Sequence, residues 1–306
     1  MTVRVGSLVF PQDLAVEPDE ARRRVDAIAD AGLDHVGVAD HVSFRDGQGF
    51  DGLATAAVIA GLHPSIVIQT SVYILPLRPP VPIARQVSTL LQLAPGRLIF
   101  GVGIGGEDRH EVSICGIDPH TRGRRADEYL TVLRGLLSGE AVDFRGEFVE
   151  LRSARVLPAP SSPPPILVGG RSGAALARTA RLGEGWLGLW VSARRFAEAT
   201  ELVAKEAESI GRDDVDWQHG LLVWCGLDSD PRSDIAERLA RHLHAFYGLD
   251  FTAFSRYTPC GTPEHVAEGL RPYVDAGARS ITLIPVAESF DAAVEGAARV
   301  RKLLTA

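Results

Sequence analysis

The sequence predicts an α/β fold, a closed (β/α)8 TIM barrel with a β-hairpin inserted between its fourth and fifth strands. Three observations lead there. Eight short β-rich segments alternate with longer amphipathic ones along 306 residues, a length that one such barrel commonly fills. The strand segments read as near-continuous apolar runs, which is the pattern of strands buried on both faces and hence of a parallel sheet. Eight β–α units in succession favour closure over an open doubly wound sheet. A single barrel domain over residues 1–306 is therefore expected.

Each element has its own signal. Residues 3–10 (VRVGSLVF) are rich in β-branched residues and stop at Pro11, which marks the first strand. A helix over 18–33 follows, with Pro18 in the first turn, Ala21, Val25, Ile28 and Ala29 on one face, and Gly32 as its stop. The second strand is 34–41 (DHVGVADH), followed by a small-residue helix at 52–62. The third is 66–74 (IVIQTSVYI) with a helix over 81–93, and the fourth is 97–103 (RLIFGVG) with a helix over 124–137. There the pattern changes. EAVDFRGEFVELRSARVLPAPSSPPP alternates polar and apolar residues about Arg145-Gly146 and then becomes proline-rich, a hairpin and rigid connector near 140–165. Strands resume at 165–170, 185–191, 219–227 and 279–286. Helices are expected over 174–181, 194–210, 233–246 with 263–276, and 289–304.

Composition removes several classes of function. With 45 % hydrophobic and 23 % charged residues, the chain is neither disordered nor a coiled coil. A net charge of −7 argues against nucleic acid, whose phosphates need a basic face. No apolar stretch reaches the roughly 18 residues of a membrane span, and MTVRVGSLVFPQD lacks the core of a signal peptide. A cytoplasmic protein without membrane partners is expected. Cys115, Cys225 and Cys260 are too few and too scattered for a disulfide framework or metal clip, so three buried, inert thiols are expected. No HxxxH pair or carboxylate cluster suggests a metal. Lys205 and Lys302 are the only lysines, which leaves anion binding to arginine and backbone amides.

In a barrel, chemistry sits at the C-terminal ends of the strands. Asp40-His41 ends the second strand; His41 can exchange a proton near neutral pH and Asp40 could fix its tautomer, although a histidine capping the strand end fits as well. Gly101-Val102-Gly103-Ile104-Gly105-Gly106 ends the fourth. It matches GxGxxG formally but follows the wrong strand for a dinucleotide fingerprint, leaving a glycine turn that lets backbone approach a ligand. Glu107 and Glu111 follow it as acid/base or orienting groups, or as solvated acids at a helix start. Gly169-Gly170-Arg171-Ser172-Gly173 runs straight into a helix, whose free N–H groups and dipole suit a phosphate. Ser71-Val72-Tyr73 ends the third strand with apolar neighbours, suited either to a flat ring or to core packing.

Taken together, the ADH of the second strand, TSVYILPLRPPVPIARQVSTLLQLAPGRLIFGVGIGG, RGRRADEYLTVLRGLLSGEAVDFRGEFVEL, LPAPSSPPPILVGGRSGAALARTARLGEGWL and CGTPEHVAEGLRPYVDAGARSITLIP span nearly the whole chain. In that order they resemble the bacterial luciferase-like monooxygenase superfamily, and within it the branch that uses the deazaflavin coenzyme F420. The resemblance implies a coenzyme at the C-terminal face of the barrel, with a non-proline cis peptide at Ser71–Val72 behind its ring. It implies a part for His41 in hydride transfer. Gly103 and Gly105 would lie along the coenzyme's chain, Gly169, Gly170, Arg171 and Ser172 would hold its phosphate, and Asp40 and Tyr73 join the binding set. The sugar-phosphate dehydrogenases of that branch have a Trp where Phe44 and Arg45 stand here, and their catalytic Glu falls on Gly106 or Glu107. Their phosphate-holding lysines have no counterpart. The expectation is thus an F420-dependent oxidoreductase with His41 and Glu107 as catalytic residues. Its small-molecule substrate would be held by apolar loops after Phe10, Phe44 and Trp190 and by residues 247–259, which suits a bulky or apolar compound. The alternatives are an FMN-dependent monooxygenase using O2 and a flavin-binding barrel without turnover. A homodimer is expected from the resemblance.

Overall fold

The computed structural model describes residues 2–106, 108–248 and 250–306. In chain order the elements are β1 (Arg4–Val9), α1 (Pro11–Leu14), α2 (Pro18–Asp30), β2 (His35–Val38), α3 (Gly52–Leu62), β3 (Val67–Thr70), β4 (Tyr73–Ile74), α4 (Pro80–Leu93), β5 (Leu98–Gly103), α5 (Arg109–Ile114) and α6 (Arg122–Leu137). There follow β6 (Val142–Arg145), β7 (Glu150–Ala154), β8 (Ile166–Gly169), α7 (Gly173–Leu182), β9 (Gly185–Leu189), α8 (Ala193–Ser209), β10 (Gly220–Leu227), α9 (Ile235–Tyr247), β11 (Cys260–Gly261), α10 (Pro263–Asp275), β12 (Ser280–Val286) and α11 (Phe290–Thr305).

Eight strands pair in parallel around a closed ring, β1-β2-β3-β5-β8-β9-β10-β12 and back to β1. This is the (β/α)8 barrel read from the sequence. β6 and β7 form the antiparallel hairpin between the fourth and fifth barrel strands, and β11 adds to the edge of β10.

Alternation along the strands divides the core in two. Val9, Phe100, Val168, Val223 and Leu283 join the large cluster shared with the helices. Leu8, Ile99, Leu167, Leu222 and Ile284 fall in a second cluster within the ring. Helices meet the outer layer with apolar stripes, such as Phe196, Ala199, Val203 and Ala207 of α8, spaced so that they share one face. Four strand-to-helix junctions are capped alike: the hydroxyls of Ser172, Ser192, Thr262 and Ser289 accept the N–H three residues on. Each such cap contributes about 1 kcal/mol.

Three readings need correction. The third strand is not continuous: β3 stops at Thr70 and β4 begins at Tyr73, with a cis Ser71–Val72 bond between them. The helical start read after the glycine turn is a separate short element, α5 at 109–114, ahead of the helix expected over 124–137 and found as α6. Cys225 is buried, but Cys115 and Cys260 are only partly so: Cys115 caps the C-terminus of α5 and Cys260 opens the two-residue strand β11, both outside the eight-strand ring. No helix among the described residues is long and apolar enough to cross a membrane.

Candidate active site

A cavity of about 600 Å³ opens among the C-terminal ends of the barrel strands. On one side it is lined by the ends of β2, β3, β5 and β8. On the other it is walled by aromatic residues from β1, β10 and α9.

The chain leaving β2 delivers Asp40 and His41. Asp40 is buried; it accepts N–H groups from Gly52 (2.9 Å) and Ile74 (2.8 Å) and pairs in a two-pronged fashion with Arg78 (2.8 and 2.9 Å). Burial pushes its carboxyl pKa up, while Arg78 and the two amides oppose that push. These bonds tie the loop after β2 to α3, β4 and the segment leading to α4. They also engage both carboxylate oxygens, so Asp40 does not orient His41.

Glu111 does that instead. Its carboxylate is 2 % exposed. Oε2 lies 3.1 Å from Nδ1 of His41, and Oε1 accepts the N–H groups of Val42 (2.7 Å) and Ser43 (3.1 Å). Burial opposes ionisation, but the bonds from His41, Ser43 and Val42 prevail and hold the carboxyl below its ordinary range. A carboxylate facing Nδ1 places the ring proton there, which leaves Nε2 to exchange a proton with a ligand. Reading Glu111 as a solvated helix-start acid is therefore corrected. The physical reason is α5, whose N-cap Asp108 accepts the N–H of His110 (2.8 Å) and whose backbone turns Glu111 inward. Asp108 also accepts the N–H of Arg45 (2.7 Å), fastening α5 to the same loop. Glu107 lies outside the described residues.

Ser71, Val72, Gly103, Gly105, Gly169, Gly170, Arg171 and Ser172 line the same cavity as Asp40 and His41. Tyr73 does not. It is fully buried, its ring 5.5 Å from that of Phe100 and 4.5 Å below the Arg78 guanidinium, because alternation along β4 turns it away from Ile74, which faces the cavity.

The glycines serve two purposes. A Cβ on Gly103 would stand 2.5 Å from Cγ2 of Val72 and one on Gly169 3.2 Å from its Cγ1, so both are small because Val72 bulges over them. Gly105 and Gly170 have φ of +69° and +121°, backbone that a side chain would strain. Beyond them, Ser172 caps α7 and accepts the N–H of Ala175 (3.2 Å). Arg171 is exposed, its guanidinium 5.9 Å from the Trp190 ring.

The apolar loops after Phe10, Phe44 and Trp190 and residues 247–259 are the expected substrate walls; of these, Phe10, Phe44, Trp190, Tyr247 and Phe254 line the cavity. Trp224 and Phe246 line it as well, though they sit in a strand and a helix whose apolar residues all read alike. Arg178, a further lining residue, is held by Asp127 through bonds of 3.0 and 3.2 Å.

The sequence matches the family model described as luciferase-like monooxygenase over residues 4–257. An uncharacterised protein of Mycobacterium tuberculosis is 35 % identical over 145 residues, 47 % of this chain and 50 % of that one, so the match spans about half of that relative's length. An F420-dependent glucose-6-phosphate dehydrogenase of Amycolatopsis mediterranei is 26 % identical over 281 residues, 81 % of this chain and 83 % of the relative. The solved structure of an F420-dependent secondary alcohol dehydrogenase, in complex with an F420–acetone adduct, superposes with a TM-score of 0.85 over 99 % of both chains at 18 % identity, a likeness of fold.

Proposed function

This chain belongs to the luciferase-like monooxygenase family, and from that premise we propose that it is an F420-dependent oxidoreductase that moves a hydride between the coenzyme and an organic substrate. The observation that carries the reading is the His41–Glu111 pair (3.1 Å) at a cavity that is also lined by a glycine-containing loop opening into α7. The F420-dependent dehydrogenases among its relatives support it.

The lining suits a flat ring with an anionic tail. Val72 and Ile74 offer an apolar wall, and a Cβ at Gly106 would meet nothing within 4 Å, so the turn there is open. The N-terminus of α7, with Arg171 and Ser172, offers amides and a cation to a phosphate. When bound, the deazaflavin supplies a hydride donor or acceptor. The protein's part is to bind, orient and move a proton. Nε2 of His41 takes the proton of a substrate hydroxyl, or returns it to a carbonyl oxygen. Glu111 keeps the imidazole in that tautomer and stabilises it when charged. Glu107 is retained as a proposed second acid or base, Asp40 as the buried strut beneath the loop, and the homodimer as an assembly that sedimentation would test.

Titrating the purified protein with F420 and with FMN, and following fluorescence quenching, tests the reading. Tight binding of F420 is expected. Preferential binding of FMN with no affinity for F420 would overturn it in favour of an FMN-dependent monooxygenase.

A further inference from the structure

One layer below the cavity, three polar side chains meet inside the ring. They are His35 of β2, Gln69 of β3 and Thr282 of β12, each at most 1 % exposed. Alternation puts them there: Thr282 stands two residues before Ile284 of the inner cluster, while His35 and Gln69 flank Val36 and Ile68 of the outer one. Gln69 Nε2 donates to the hydroxyl oxygens of Thr282 (2.9 Å) and Ser71 (3.1 Å), and Nε2 of His35 lies 2.8 Å from Thr282 Oγ1. Strands β12 and β3 are not neighbours, since β1 and β2 lie between them. The bridge closes because the residues in register with its ends are glycines, Gly6 beside Thr282 and Gly37 beside Gln69. A Cβ on Gly37 would stand 2.7 Å from Cγ2 of Thr282, and one on Gly6 2.5 Å from Cδ2 of His35.

The arrangement costs stability. Gln69 Oε1 and Nδ1 of His35 are buried without a hydrogen-bond partner among the described residues, and a half-satisfied polar network is worse for folding than an apolar layer of the same shape. What it achieves is to fix Ser71. That residue lines the cavity, its N–H donates to the Val38 carbonyl (2.7 Å), and one lone pair of its hydroxyl is taken by the Gln69 amide. Among the described residues the hydroxyl proton meets only the Gln69 carbonyl, at a long 3.4 Å. The proton is therefore available to an acceptor in the cavity.

We propose that Ser71 Oγ donates a hydrogen bond to the ring of the bound coenzyme, and that Gln69 and Thr282 are positioning residues that hold it in that role from inside the barrel. Gln69 gives its amide protons to Thr282 and to Ser71, so the serine hydroxyl accepts from below and donates above. Thr282 fixes the amide in turn, and the chain of bonds runs from β12 across the ring to the floor of the cavity. The proposal rests on the coenzyme reading above, and its test separates the two.

The experiment measures F420 and FMN affinity by fluorescence quenching, the absorption spectrum of the bound coenzyme, and the melting temperature without it. Ser71→Ala should weaken F420 binding about tenfold, the worth of one hydrogen bond, and shift the absorption maximum of the bound coenzyme. Gln69→Leu and Thr282→Val should give losses and spectral shifts in the same direction, with melting temperatures level or raised. Thr282→Val is nearly isosteric and carries the test should Gln69→Leu fail to fold. Thr282→Ser, which keeps the hydroxyl, should restore what Thr282→Val loses. The double variant Ser71→Ala/Gln69→Leu should bind no more weakly than Ser71→Ala alone, because Gln69 acts through Ser71. Unchanged affinity and spectrum in Ser71→Ala or in Thr282→Val overturns the proposal, as do strictly additive losses in the double variant. A lowered melting temperature with unaltered coenzyme binding makes the network purely structural and overturns it too. If the unmodified protein binds FMN and not F420, the coenzyme reading falls, while the same variants titrated with FMN still decide the role of Gln69. Binding of neither overturns both.

Discussion

At the scale of single residues, the site turns on which carboxylate faces His41. Position alone favoured Asp40, its neighbour in sequence, yet Asp40 is engaged by Arg78, Gly52 and Ile74, and Glu111, seventy residues away, takes the contact. His41 was legible because it ends a barrel strand. Glu111 was legible only as a possibility, since α5 has six residues, too few for an apolar period to reveal which side faces in. The arrangement predicts different losses for the two partners. His41→Ala should slow hydride transfer by roughly 10²–10⁴-fold, the usual worth of a positioned acid or base, while F420 affinity stays as it was; unchanged turnover removes His41 from the mechanism. Glu111→Gln should keep the bonds to Val42 and Ser43 but shift the acid limb of the pH–rate profile downward, because an amide favours an imidazolium less than a carboxylate does. A profile that coincides with the wild type would leave Glu111 a merely structural residue.

At the scale of elements, the break between β3 and β4 explains two glycines. The segment IVIQTSVYI is apolar and β-branched throughout, so its own pattern gives no sign that the strand divides at Ser71–Val72; the resemblance to a family located that bond. Val72 then occupies space over the ends of β5 and β8, and that is why Gly103 and Gly169 carry no side chain. The glycine runs were read correctly as places of close approach, but at these two positions the approaching group is a side chain of the protein itself. Gly103→Ala should therefore force Val72 from its place, costing about 1–3 kcal/mol as an overpacked core site does and weakening coenzyme binding with it. Adding Val72→Ala to Gly103→Ala should recover part of the loss in thermal stability. Strictly additive losses would show that the two positions do not share this space.

At the scale of the whole molecule, the barrel was legible because its evidence is distributed: eight apolar runs and the helices between them say the same thing many times over, and no single misread end alters it. What the polar residues of the barrel meet was not legible, since a polar residue in or beside a strand shows no sign of what will surround it. His35, in β2, and His219, just before β10, are such residues, both buried. His35 Nε2 meets the Thr282 hydroxyl at 2.8 Å, and Nδ1 of His219 accepts the N–H of Trp186 at 3.0 Å. Burial pushes each imidazole down to about 4 from an ordinary 6.5. Between those values the unfolded chain binds more protons than the native one, so stability rises with pH across that window and is lost as pH falls through it. Each histidine would contribute roughly 3 kcal/mol to that loss, against about 5–15 kcal/mol for the total stability of a typical domain. The carboxylates held below their ordinary range, Asp34 and Glu111, act in the same direction but only once pH nears the unfolded carboxylate value, around 4. The first decline below neutrality therefore belongs to the histidines. The melting temperature should be level above pH 7 and fall from about pH 6.5 downward, and His219→Gln, which keeps an acceptor for the Trp186 amide, should flatten part of that fall, the rest belonging to His35 and to His242, which burial also pushes down. A variant whose curve parallels the wild type between pH 6.5 and 5 would place the acid sensitivity elsewhere in the barrel.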